Sequence, residues 1–141
     1  MDRRAEARWN GDLKAGNGTV KLGSGAFEGR YSFTSRFESG TGTNPEELLG
    51  AAHSACYSMA LAAGLAKAGH APKSVHTTAT VHLNKSDAGF SITGIDLVTR
   101  GEVPGLSAAE FTKFAEETKQ GCIVSRALAA VPMTIDAALA G

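Results

Sequence analysis

The 141-residue chain holds two cysteines, Cys56 and Cys122, and the chemistry open to it turns on what stands beside each sulfur. Cys56 lies within GTNPEELLGAAHSACYSMALAAGLAKAG, the longest run of small apolar residues, where loss of water disfavours a thiolate unless a cation is near. Three sources of that charge can be named: His53 one turn earlier on the same helix face, Arg36 from the preceding segment, or the N-terminal end of another helix. With His53 as base, Cys56 would be the nucleophile of a Cys–His thiol hydrolase, although no carboxylate is evident to orient the imidazole. With Arg36, the thiolate is held by a charge that does not titrate and no general base is needed, which suits attack on a peroxide O–O bond. The sulfenic acid so formed condenses with a second thiol, and Cys122 is the one other thiol in the chain.

The elements that must position these residues are marked by their ends. Asn44 is the expected N-cap of a helix, with Pro45 at its first position and Glu47 at capping-box spacing, while Gly69 and Pro72 stop it after Lys67. The first forty residues read as three strands, Arg4 to Trp9, Gly18 to Leu22 and Tyr31 to Phe37, in a small antiparallel sheet. Alternation in the third places Tyr31, Phe33 and Phe37 on one face and Ser32, Thr34 and Arg36 on the other. Arg36 is then either solvated or covered by another element. The segment GNGTVKLGSGAFEG has neither the Lys-Ser/Thr nor the following helix of a phosphate loop, and reads as turns.

Beyond the helix, Val75 to Leu83 alternates as a half-buried strand and pairs with a second one through a turn between Asn84 and Gly89, with Gly94 at a bulge. His76 and His82 share a face but lie ~20 Å apart at strand rise, too far to ligate one metal. Leu106 to Gln120 reads as a helix opened by Ser107 and Glu110 in capping-box spacing, broken at Gly121. Cys122 then opens CIVSRALAAV, a short helix ahead of a strand over Met133 to Ala137, and the amide groups of a helix start favour a thiolate there.

Composition narrows the partners. Fourteen Lys and Arg residues balance fourteen Asp and Glu, and no basic block supplies a footprint for nucleic acid or an anionic membrane. The N-terminal MDRRAEARWNGDLK is charged where a signal peptide needs an apolar core, and no run reads as a membrane span. A cytoplasmic location is expected, where a cysteine pair is more often redox-active than a static crosslink. With no repeat, linker or low-complexity segment, residues 1–141 read as one domain.

The runs GTNPEELLGAAHSACYSMAL, RFESG and GCIVSRAL together resemble the osmotically inducible protein C (OsmC) and organic hydroperoxide resistance (Ohr) family, on the OsmC side. The resemblance spans most of the chain and implies an α+β fold, antiparallel sheets around a long buried central helix, in an intertwined homodimer with sites at the subunit interface. It implies a thiol-dependent peroxidase for organic hydroperoxides, with Cys56 peroxidatic, Cys122 resolving, and Arg36 and Glu46 the pair that activates the thiolate. A lipoyl-type dithiol or a dithiol protein would recycle the Cys56–Cys122 disulfide. No metal, flavin or haem is expected, because sulfur carries the oxidising equivalents. One departure is Ile123, where many members carry a proline that would pre-shape the helix start. On one straight helix Glu46 and Cys56 stand about 15 Å apart along the axis. Either the helix breaks near Gly50, or Glu46 acts across the dimer, or it orients an arginine that bridges part of the gap. The competing class is a hydrophobic-ligand-binding protein that uses the same groove, with the cysteines incidental.

Overall fold

The computed structural model describes residues 1–140, which fall into two compact units that divide between Leu48 and Leu49. The first unit is an antiparallel meander of β1 (Ala5–Asn10), β2 (Asn17–Leu22) and β3 (Glu28–Tyr31), followed by the short helix α1 (Phe33–Phe37). The strand expected over Tyr31 to Phe37 is not formed: the third strand lies earlier, at Glu28–Tyr31, and Phe33–Phe37 is helical. Ser32 caps α1 reciprocally with Ser35: the Ser35 N–H donates to Ser32 Oγ at 3.1 Å and the Ser32 N–H to Ser35 Oγ at 2.8 Å. A serine in place of the usual Glu or Gln closes this capping box, and local hydrogen bonding overrides an alternating pattern only seven residues long. Phe33 and Phe37 now meet at helical spacing, ring centroids 5.0 Å apart, and the Arg36 guanidinium lies over Phe37 at 5.2 Å.

Helix α2 (Pro45–Lys67) begins in this unit and runs unbroken through Gly50. Asn44 caps it as expected, its Oδ1 accepting the Glu47 N–H at 2.8 Å. Glu47 does not complete a box with Asn44; its carboxylate accepts the Thr43 hydroxyl at 2.9 Å. At the other end Gly69 has φ +89° and His70 N–H reaches Leu65 O at 2.9 Å, with Gly69 N–H on Ala66 O at 3.0 Å. This is a Schellman stop, and the positive φ is why glycine stands there.

In the second unit β4 (Ser74–Ser86), β5 (Gly89–Glu102) and β6 (Met133–Leu139) form one sheet in that order. The β4–β5 hairpin is antiparallel and slips register between His82 and Leu83, opposite Gly94 and Ile92, so the bulge falls where Gly94 marked it. Strand β6 departs from the expected antiparallel arrangement and pairs parallel with β5. Its connection is long enough for that crossover because α3 (Ala108–Gly121) and α4 (Ile123–Ala127) intervene. Ser107 and Glu110 form the expected capping box on α3.

The core of this unit gathers Tyr57, Leu61 and Leu65 from α2, Ile95 and Leu97 from β5, Val103 and Leu106, and Phe111 from α3. Each fully buried Leu contributes on the order of 1.5–3 kcal/mol. By length and composition α2 is apolar enough to cross a membrane, contrary to the sequence expectation, with mean hydropathy 1.3 over its best window. Its buried face, His53, Tyr57, Leu61 and Leu65, marks it as the core helix of the fold. Hydroxyl groups that enter this core are matched: the Tyr57 hydroxyl donates to Ala115 O at 2.7 Å, and Ser58 Oγ donates to Thr77 Oγ1 at 2.8 Å, itself 3.0 Å from the buried Thr99 hydroxyl.

Gly101 on β5 makes room for the Phe111 ring of α3, since a Cβ there would fall 2.6 Å from Phe111 Cζ. Gly101→Ala should therefore overpack the core and lower stability by about 1–3 kcal/mol, read as an earlier midpoint in urea unfolding.

Candidate active site

The four residues expected to form the site arrive as two pairs, one in each unit. In the first unit Arg36 and Glu46 are joined by a forked contact: Arg36 Nη2 donates to Glu46 Oε1 at 2.8 Å, and Nε lies 3.2 Å and 3.3 Å from Oε1 and Oε2. Glu46 is 7% exposed, whereas the Arg36 side chain keeps 37% of its surface in solvent. A buried carboxylate thus anchors one edge of a guanidinium whose remaining N–H groups stay available to an anion.

Local structure makes this pair. The α1 turn aims Arg36, and Ser35 ties that turn to the start of α2, donating its hydroxyl to Thr43 O at 2.7 Å while Asn44 Nδ2 donates to Ser35 O at 3.1 Å. Beside Arg36 opens a cavity of about 410 Å³ bordered by Trp9, Leu13, Tyr31, Phe33 and Phe37. Its walls are largely aromatic, with Trp9 and Tyr31 in contact at 5.3 Å between ring centroids. The aromatic face read from the sequence survives the change from strand to helix, but Arg36 sits with it rather than opposite it.

In the second unit both cysteines are free and their sulfurs are 3.2 Å apart. Cys56 is half-buried on α2, and Cys122 is 1% exposed. Cys122 occupies the kink between two helices, with ψ 129°, ending α3 through its N–H on Thr118 O at 2.8 Å and standing at the N-cap of α4. The break thus falls one residue after Gly121, and α4 forms with Ile123, not proline, at its first position.

The Cys122 thiol is held below the ordinary thiol range. Burial opposes ionisation, but the Ser125 amide and hydroxyl, the Cys56 thiol and the Val124 amide all favour the thiolate and outweigh it. These groups act without a formal side-chain cap bond on α4.

His53 does not serve Cys56. It is wholly buried, its Nε2 lies 2.7 Å from Ser125 Oγ, and its Nδ1 has no partner among the described residues. Burial pushes its pKa down, which keeps the ring neutral. Ser125 is the residue that the sequence reading passed over, although its three-residue spacing from Cys122 repeats that of His53 from Cys56. His76 is exposed, and His82 bonds Asp96 Oδ2 at 2.6 Å on the sheet surface. Among the described residues no group of three or more His, Cys, Asp and Glu is placed to hold a metal ion.

The family described as OsmC-like protein matches residues 38–136. Peroxiredoxin OsmC of Escherichia coli strain K12 is 49% identical over 137 residues, covering 96% of this chain and 95% of that protein. Among solved structures, an organic hydroperoxide resistance protein from Elizabethkingia anophelis superposes with TM-score 0.76 at 24% identity, covering 99% of both chains. The organic hydroperoxide resistance protein OhrB of Bacillus subtilis gives 0.72 at 21% identity, covering 97% of this chain and 98% of its own. The two solved structures share this fold, and the family match over residues 38–136 together with 49% identity to peroxiredoxin OsmC shows that the chain belongs to the OsmC family.

Proposed function

We propose that Cys56 is the peroxidatic and Cys122 the resolving cysteine of a thiol-dependent peroxidase for organic hydroperoxides. The observation that carries this assignment is the 3.2 Å separation of the two free sulfurs, one half-buried and one enclosed. The more open sulfur meets the peroxide; the enclosed one meets only its neighbour. Cys56 thiolate attacks the terminal peroxide oxygen, the O–O bond breaks, and the alkoxide leaves and takes up a proton as the alcohol. Cys122 thiolate then attacks Cys56 Sγ, the S–O bond breaks, and the released hydroxide is protonated to water. A dithiol, lipoyl-type or on a protein, returns both thiols and is itself oxidised to a disulfide.

Arg36, oriented by Glu46, is assigned the charge that stabilises the Cys56 thiolate, and the aromatic cavity beside it suits an apolar hydroperoxide. We assign these residues to a site completed across a homodimer. Support comes from α2, which shows Ala51, Ala55 and Ala63 on an exposed apolar stripe with Met59, itself 75% exposed; the alanines let a second helix approach closely and Met59 offers it apolar surface. The two units are taken as parts of one domain, and the cytoplasm as its location, since the cycle needs thiols that can be re-reduced. The Cys–His hydrolase is disfavoured because His53 is committed to Ser125.

In stopped-flow reduction of cumene hydroperoxide, Cys56→Ser should lose turnover, while Cys122→Ser should react once and stall as sulfenic acid or an overoxidised product. Undiminished turnover in Cys56→Ser would leave a binding protein as the better account. Mixing Cys56→Ser chains with Glu46→Gln chains should restore part of the activity if sites are shared between subunits. No recovery, with chain exchange verified by mass spectrometry of the mixed dimer, would place Glu46 and Cys56 function within one chain.

A further inference from the structure

Two contacts join α2 to the turn that carries Cys122, and they have matched spacing. His53 and Cys56 stand three residues apart on α2; Cys122 and Ser125 stand three residues apart opposite them. The sulfurs are separated by 3.2 Å, and one turn away His53 Nε2 meets Ser125 Oγ at 2.7 Å. His53 is 0% and Ser125 3% exposed, so this second contact is made out of water, where an unmade hydrogen bond is most costly. The peroxide chemistry described above makes no use of it.

We propose that His53 and Ser125 are positioning residues for Cys122, their contact holding its sulfur against Cys56 and aiming the Ser125 hydroxyl at it as the disulfide forms. The inference rests on the reading of Cys122 as the resolving thiol. The unpartnered Nδ1 fixes where the protons lie. With the ring proton on Nε2, His53 donates to Ser125 Oγ, the serine proton is free to donate toward the Cys122 sulfur, and Nδ1 is left as a bare lone pair. With the proton on Nδ1, a buried N–H would go unpaired and the serine proton would be spent on Nε2, the costlier arrangement.

The same direction emerges from the sulfur side, where the Ser125 hydroxyl is among the groups that favour the Cys122 thiolate. In the step itself Cys122 thiolate displaces hydroxide from the Cys56 sulfenic acid; one S–S bond forms, one S–O bond breaks, and no further oxidant is consumed. The titratable groups around this sulfur are Cys56 and Tyr57 from α2, His53 through Ser125, and Glu116 on α3, which is paired with Lys119 and acts on Tyr57. The Tyr57 phenol is pushed well up and stays neutral, so a pH response of the step belongs to Cys122.

The test is a single turnover of the reduced full-length chain with one equivalent of cumene hydroperoxide between about pH 6 and 9, quenched with dimedone and followed by mass spectrometry. Ser125→Ala and, separately, His53→Leu should slow disulfide formation about tenfold relative to sulfenic acid formation in the same trace and move its midpoint to higher pH. Ser125→Thr and His53→Gln, which keep the hydroxyl and a donor at the Nε2 place, should regain most of the rate. No slowing, or slowing with an unmoved midpoint, in whichever of the two disruptive variants folds would overturn the proposal. A wild-type trace that shows sulfenic acid without a Cys56–Cys122 disulfide would instead overturn the assignment of Cys122 on which it rests.

Discussion

The rotation of α2 about its own axis is the constraint on which the second unit depends. His53, Tyr57, Leu61 and Leu65 recur every four residues and are all fully buried, so the helix has one orientation in which its large side chains are out of water. Tyr57 and His53 then confirm that orientation with hydrogen bonds to α3 and to Ser125, both at 2.7 Å. Cys56, one residue before Tyr57, is carried to the edge of the buried face and left half-exposed. The sulfur's accessibility is thus a by-product of aliphatic packing two turns away.

Much of this was legible from residue type and spacing. The limits of α2, its Asn44 cap and Gly69 stop, the Ser107–Glu110 box, the hairpin with its bulge and the kink at Cys122 all rest on local chemistry that sequence displays directly. Two features were not legible for physical reasons. Alternation over Tyr31 to Phe37 is too short to separate a strand from one helical turn, and the Ser32–Ser35 cap decided the matter. The parallel pairing of β6 depends on a crossover that no local pattern encodes.

The candidate site shows the same division. Both cysteines, and Arg36 as one of three candidate cations, could be named from residue type and context, and Glu46 from resemblance, but the partner of His53 could not, because a contact between residues 72 positions apart is set by tertiary packing. The structure turns a plausible base for one cysteine into a buried neighbour of the other. What distinguishes the Arg36–Glu46 contact is its unequal burial: the carboxylate is enclosed and the guanidinium is not, so the charge is held in place at its inner edge while its outer edge stays free.

The aromatic cavity carries one further consequence. Trp9 is the single tryptophan of the chain, and it borders the same opening as Arg36, in contact with Tyr31. Its indole N–H already donates to Asp12 O at 3.2 Å, which fixes the ring in one setting. Light absorbed and emitted by the protein's one indole therefore originates at that opening, giving the molecule a built-in optical reporter where an apolar guest would enter.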